Sequence, residues 1–125
     1  MGQYLIDTNI VSKYLSRLLP PEGERLLDAV IDSTPQLFVI TQIELLSWKS
    51  EFENRIREFV NDSSVFALNT EVVEMCVKLR RGRKMRTPDA IIAATAIVND
   101  LTLLTDNEVD FIGISKLKLL NPNKL

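Results

Sequence analysis

The sequence predicts an α/β fold, a three-layer α/β/α sandwich around a central and mainly parallel sheet. Short apolar runs of strand length alternate with longer segments of helical periodicity. One run, LFVIT at residues 37–41, is apolar almost throughout, which is typical of a strand buried on both faces. Strands that alternate with helices usually pair in parallel, and 125 residues suit a single domain over residues 1–125.

The predicted elements follow one another in a regular order. Strands are expected at residues 3–6, 37–41, 65–68, 101–105 and 117–120, and helices at about 9–18, 22–32, 42–50, 52–60, 70–81 and 87–99. The apolar face of the first helix comprises Ile10, Val11, Tyr14, Leu15 and Leu18. Pro20-Pro21 ends that helix, Thr70 caps a later one, Gly82 ends it, and Thr87-Pro88 opens the last.

Composition excludes several kinds of site. The chain has no histidine and one cysteine, which removes serine–histidine triads, histidine general bases and the usual zinc sites. Cys76 lies in an apolar helical pattern and is expected to be a core residue. No apolar run approaches the roughly 20 residues of a membrane span, and the N-terminus lacks a signal-peptide pattern. A cytoplasmic protein that does not bind membranes is therefore expected.

Acidic residues follow the predicted strands. Asp7 comes directly after the first strand, Glu44 one helical turn after the second, and Asp106 and Asp110 after the fourth, while Asp89 lies in the first turn of a helix. In open parallel sheets, sites form beyond the carboxyl ends of the strands. Clustered carboxylates repel one another unless they are protonated or bound to a cation. A site for Mg²⁺ or Mn²⁺ with oxygen ligands is the simplest resolution.

Each acid also has a local interpretation. Asp7 can cap a helix, and TQIE at residues 41–44 fits a capping box with Thr41 at the cap and Glu44 three residues on. In TPDA at residues 87–90, the helix dipole favours Asp89. Taken one at a time, these interpretations are the commoner ones, and only the joint pattern favours a shared site.

Four segments together resemble the PIN domain, and most closely the small VapC-type toxins of prokaryotic toxin–antitoxin pairs. They are YLIDTNIVSKYL at 4–15, ITQIELLSW at 40–48, TPDAIIAATAIVNDLTLLTDNEVDF at 87–111 and LLNP at 119–122. The resemblance implies a PIN-like α/β/α fold and a metal-dependent endoribonuclease that uses Mg²⁺ or Mn²⁺. It also implies an RNA substrate such as tRNA or rRNA, a cognate antitoxin and a homodimer. A PIN-like domain that binds RNA or protein without catalysis is the alternative.

The resemblance assigns roles to particular residues. The family acids fall on Asp7, Glu44 and Asp89. Where many relatives have a fourth acid this chain has Asn107, so Asp110, slightly favoured, or the adjacent Asp106 is expected to replace it as a catalytic and metal-binding acid. Hydrogen bonds that orient the carboxylates are expected from Thr8, Asn9, Thr105 and Asn107.

A basic segment precedes Asp89. KLRRGRKMR at residues 78–86 contains six of the 15 cationic residues and no acid, so the other residues have nine cations against 17 acids. Cationic side chains near the end of a helix often contact only water and have no binding role. Next to an acidic site they can instead bind the phosphates of RNA. The RNA contacts are expected from Arg80, Arg81, Arg83, Lys84 and Arg86.

Overall fold

A computed structural model describes residues 3–125, which form seven helices, five strands and one 3-10 turn. The strands are β1 Tyr4–Ile6, β2 Gln36–Phe38, β3 Ser64–Phe66, β4 Thr102–Leu104 and β5 Lys118–Leu120. The helices are α1 Thr8–Leu15, α2 Pro21–Ser33, α3 Val39–Ser47, α4 Glu53–Asn61, α5 Thr70–Gly82, α6 Thr87–Val98 and α7 Glu108–Phe111. The 3-10 turn is Pro122–Lys124. No helix in this part of the chain has the length and apolar character needed to cross a membrane.

All five strands are parallel, in the order β3-β2-β1-β4-β5. The chain begins in the middle of the sheet, builds one edge through β2 and β3, and then crosses back to build the other. The carboxyl ends of β1 and β4 are therefore neighbours, with Ile6 beside Leu104. This reversal of strand order is the usual position of a site in open parallel sheets.

Alternation along the strands gives the sheet two apolar faces. Ile6 and Leu104 pack into a core with α1 to α4, whereas Leu5 and Leu103 pack on the other face against α6. Helix α5 lies against α6 through Val72 and Cys76. The predicted three-layer α/β/α fold is confirmed, and its sheet is parallel throughout.

The first helix ends earlier than predicted. Helix α1 stops at Leu15, because Arg17 adopts the left-handed conformation (φ 57°). The amide of Leu18 donates to the carbonyl of Lys13 and that of Arg17 to the carbonyl of Tyr14, a Schellman ending. Leu18 is consequently exposed, so its predicted place on the buried face was wrong.

The second strand is shorter than predicted. Strand β2 ends at Phe38, and Val39 already begins α3, so the apolar run at residues 37–41 belongs to two elements. Thr41 is buried inside α3, and Phe38 occupies the cap position without a side-chain cap bond. The capping-box interpretation of Thr41 and Glu44 was therefore wrong.

Smaller corrections concern the following elements. Strand β3 ends at Phe66, so Leu68 lies outside it. Helix α5 is capped by the side chain of Asn69, which accepts from the amide of Val72, and not by Thr70. Asparagine competes well at this position because its oxygen reaches the free amides of the first turn. Helix α7 and the 3-10 turn were not predicted, since both are too short to show periodicity.

The C-terminal turn packs against α2 where the latter has a glycine. A Cβ atom on Gly23 would lie 2.2 Å from the carbonyl oxygen of Pro122. Asn121 and Lys124 reach from this turn to the carboxylate of Glu108, at 3.1 and 2.5 Å. The chain end therefore holds the start of α7, which follows β4 at the acidic edge of the sheet.

Candidate functional site

Asp7 lies at the junction of β1, α1 and β4. As the N-cap of α1, it accepts a hydrogen bond from the amide of Thr8 at Oδ1, 2.9 Å away. Its other oxygen, Oδ2, accepts from the hydroxyl of the buried Thr105 at 2.8 Å, just beyond β4. The local and the joint interpretations of Asp7 are thus compatible, since one oxygen caps the helix while the other joins the neighbouring strand.

The electrostatic environment of Asp7 disfavours its charged form. Burial raises the pKa of Asp7 above its usual 3.8, and the negative charges of Glu44 and Asp106 raise it further. The hydrogen bonds from Thr105 and Thr8 act in the opposite direction without cancelling the rise in this pKa. The carboxylates of Glu44 and Asp106 therefore each lie near enough to Asp7 to disfavour its charged form.

Glu44 is joined to Asp7 through Thr8. The hydroxyl of Thr8 donates to Oε1 of Glu44 at 2.6 Å, which connects α1 to α3. Asn9 lines a surface depression of about 410 Å³ beside Glu44, together with Trp48. The centres of the Trp48 and Phe52 rings lie 6.2 Å apart, and the Arg55 guanidinium lies 5.8 Å from the centre of the Phe52 ring. These two aromatic side chains therefore contact groups of their own chain.

Asp110 connects to the same network through Asn107. The amide of Asn107 donates to the hydroxyl of Thr105 at 3.1 Å, and its side-chain nitrogen donates to Oδ2 of Asp110 at 2.8 Å. Asp110 lies with Asp89 on the wall of a cleft of about 490 Å³. A chain of contacts therefore runs from Glu44 through Asp7 and Thr105 to Asp110.

The basic segment forms much of that cleft. Its lining includes Arg80, Arg83, Lys84, Arg86, Asp89 and Asp110. Arg86 pairs with Asp89 at 3.3 Å, and Arg83 donates to the backbone carbonyls of Ile112 and Asp110 at the end of α7. Arg81 lines a different, largely apolar groove between α5 and α6. Arg80 borders this groove as well. The structure thus brings four of the five predicted RNA-binding cations to one cleft, which Arg81 does not line.

The acids suit a divalent cation in type but are not drawn together around one position. Within residues 3–125, no three histidine, cysteine or acidic residues are grouped tightly enough to hold a metal ion. Asp106 turns to Lys13, Asp89 to Arg86 and Asp110 to Asn107. The donors are nevertheless all oxygens, and mutual repulsion at Asp7 is what a bound Mg²⁺ or Mn²⁺ would relieve.

Lys13 is the site residue that the sequence did not reveal. Its ammonium lies 2.6 Å from Oδ2 of Asp106 and joins the last turn of α1 to the loop after β4. A lone lysine in an amphipathic helix gives no signal of this kind, because its partner is more than 90 residues away. Only the adjacency of β1 and β4 brings the two together.

Comparisons with known proteins agree with this fold. The structure superimposes on a toxin–antitoxin complex from Klebsiella pneumoniae with a TM-score of 0.76 and 27% identity, covering 96% of this chain and 98% of that chain. DNA-bound VapBC from Salmonella typhimurium gives 0.74 at 22% identity, covering 97% and 98%. VapBC2 from Rickettsia felis, bound to a promoter DNA fragment, gives 0.71 at 22%, covering 94% and 97%.

The two structures at 22% identity support the fold alone. No curated protein matches the sequence. The family described as the PIN domain matches residues 4–117, which contain all the acids considered above. With its all-parallel sheet, its acidic strand ends and this match over most of its length, the chain belongs to the PIN-domain family.

Proposed function

We propose that this protein is a Mg²⁺- or Mn²⁺-dependent endoribonuclease and the toxin of a VapBC-type toxin–antitoxin pair. The observation that supports it most is the coupling of Asp7 to Glu44 and Asp106 at the carboxyl end of the central strands. Such repulsion between carboxylates is costly for a purely structural site, whereas a hard cation relieves it. The toxin–antitoxin complex from Klebsiella pneumoniae, which shares this fold at 27% identity, supports the biological role.

The residues of the chain hold the carboxylates in place. Thr105 and the amide of Thr8 orient the two oxygens of Asp7, and the Thr8 hydroxyl orients Glu44. Asp89 and Asp110 supply further oxygens from the adjoining cleft. A divalent cation held by these acids would make water nucleophilic near neutral pH and would neutralise charge on the phosphoryl oxygens.

The basic cleft is the proposed contact for the RNA backbone. Arg80 and Lys84 lie along it, and the acids Asp89 and Asp110 line the same cleft. Phosphates held by these cations would bring a neighbouring phosphodiester bond to the carboxylates. Such contacts position the backbone but do not read bases. The choice between tRNA and rRNA therefore depends on the shape of the RNA and the loops around the cleft.

Two protein partners belong to the same proposal. A cognate antitoxin is supported by the toxin–antitoxin complex from Klebsiella pneumoniae, which this chain resembles at 27% identity. A second copy of the chain is supported by a half-exposed apolar groove between α5 and α6. The antitoxin would be sought as the product of an adjacent gene, and the dimer by measuring mass in solution.

The test is cleavage of RNA by acid variants. Asp7→Asn, Glu44→Gln and Asp89→Asn preserve shape and remove one charge each, so each should lower metal-dependent cleavage by about a hundredfold or more. Circular dichroism should show that the fold survives. Asp32→Asn, on an exposed position of α2, is the matched control and should cleave at the wild-type rate. Cleavage that persists in EDTA, or in all three variants, would refute the proposal.

One observation favours the alternative of a PIN-like domain that binds RNA or protein without catalysis. Several acids of residues 3–125 have a local partner, and they do not converge on one point. A binding domain would show RNA affinity unaffected by Asp7→Asn and no cleavage at any Mg²⁺ or Mn²⁺ concentration. The same set of variants therefore separates the two functions.

A further inference from the structure

Lys13 and Asp106 form the least exposed ion pair among the described residues. The two side chains are 30% and 17% exposed. Every other ion pair within residues 3–125 has at least one side chain that is more than half exposed. Exposed pairs contribute little to binding or stability, whereas shielding from solvent strengthens the attraction between charges.

The position of Lys13 is set by its helix ending. The carbonyl of Lys13 accepts a hydrogen bond from the amide of Leu18 in the Schellman motif that ends α1. Asp7 caps the other end of the same helix. Helix α1 therefore presents a carboxylate and an ammonium to the same edge of the sheet, and the ammonium meets the loop after β4.

Asp106 directly follows Thr105, whose hydroxyl donates to Asp7 at 2.8 Å, so Asp106 lies beside the acidic site. Its charge reaches Asp7, as does that of Glu44. The ammonium of Lys13 neutralises one of these three negative charges. It also occupies Oδ2 of Asp106, an oxygen that would otherwise be free to bind a cation.

We propose that Lys13 is a counter-ion within the acidic site. Its ammonium binds Asp106 in the metal-free protein and competes with the divalent cation for that carboxylate. This inference rests on the proposed function, since it concerns the same metal site. Lys13 is a positioning residue that acts through Asp106. The affinity for the divalent cation is therefore lower than it would be if every carboxylate of the site were free to bind the cation.

The test is calorimetric titration of the purified full chain with Mn²⁺. Lys13→Met keeps the length of the side chain and removes its charge, so Mn²⁺ should bind about three- to tenfold more tightly. Lys13→Arg keeps the charge and should bind Mn²⁺ as the wild type does. In an Asp106→Asn background, Lys13→Met should change the affinity little, because the contested ligand is gone.

Thermal unfolding in EDTA supplies a second readout. Lys13→Met should lower the melting temperature of the metal-free protein. Saturating Mn²⁺ should then raise the melting temperature of Lys13→Met by more than it raises that of the wild type. A lower melting temperature with unchanged Mn²⁺ affinity would show a purely structural ion pair and overturn the inference. An affinity gain that persists fully in Asp106→Asn would also overturn it. Failure of the wild type to bind Mn²⁺ would instead refute the metal site of the proposed function, and the inference with it.

Discussion

At the scale of single residues, Asp7 combines a structural and a chemical role. A carboxylate at a helix N-cap is stabilised by the amides of the first turn. The same carboxylate is destabilised here by burial and by two neighbouring acids, and the net effect is a raised pKa. The hydrogen bond at the helix cap therefore partly offsets the burial and the repulsion that disfavour the charged form of Asp7.

A pH-dependent stability follows for the metal-free protein. The folded-state pKa of Asp7 lies above its usual 3.8, so between these values the folded protein binds more protons than the unfolded chain. The contribution of Asp7 to the free energy of unfolding therefore falls as pH rises through this window. Asp7→Asn still caps the helix but cannot ionise, so its stability relative to the wild type should increase across the same window.

Urea unfolding in EDTA from pH 4 to pH 7 measures this difference. The comparison of wild type with Asp7→Asn isolates Asp7, because all other ionisable groups are shared. Asp32→Asn, exposed on α2, controls for the loss of an ordinary carboxylate. If the stability difference between wild type and Asp7→Asn were constant over the range, Asp7 would not have a raised pKa in the folded protein.

At the scale of elements, the end of α5 distributes its cations in two directions. Arg80 and Lys84 line the cleft with Asp89, and Arg80 also borders the apolar groove between α5 and α6, where Arg81 lies. Arg83 braces the end of α7 through backbone carbonyls. Helical geometry turns Arg81 about 100° from Arg80 around the axis. Arg83 and Lys84 lie beyond the end of the helix at Gly82, where the backbone is extended at Arg83.

RNA binding should depend on the cleft cations and not on Arg81. Replacing Arg80 or Lys84 with Ala should lower the salt dependence of binding by about 0.7 log units for each phosphate that is no longer bound. Binding is measured at several salt concentrations in an Asp7→Asn background, which prevents cleavage. Arg81→Ala removes an equal charge from the same region of the chain and serves as the control, at a protein concentration where light scattering gives the same mass for all variants. Equal effects of all three substitutions would indicate a general charge effect rather than a defined RNA track.

At the scale of the whole molecule, α5 offers a surface that complements itself. Leu68, Val73 and Val77 are 50%, 43% and 49% exposed along a groove of about 560 Å³. Beside them, Glu71 and Glu74 precede Lys78 and Arg81 on one exposed stripe of the helix. Two copies of α5 that cross in an antiparallel orientation would place the acids of one against the bases of the other, as a two-fold interface requires.

We therefore expect a homodimer through α5. Light scattering should give twice the chain mass of 14.2 kDa for the wild type. Val77→Glu places a charge in the groove and should shift the protein toward monomer, whereas Val109→Glu, on the exposed surface of α7, should not. Arg81→Glu should weaken the dimer, and adding Glu71→Arg should restore it. Monomeric wild-type protein at micromolar concentration would exclude this interface.

The order of the five strands and six longer helices, the mainly parallel sheet and the acids that follow β1 and β4 could all be predicted without a structure, because periodicity and strand-end position are local properties. It misplaced the start of α3, since a run such as LFVIT is equally apolar in a strand and in a buried helix. The contacts of Thr105 with Asp7 and of Lys13 with Asp106 became visible only in the folded chain. Both contacts join residues more than 90 positions apart, and they exist only because β4 lies directly beside β1.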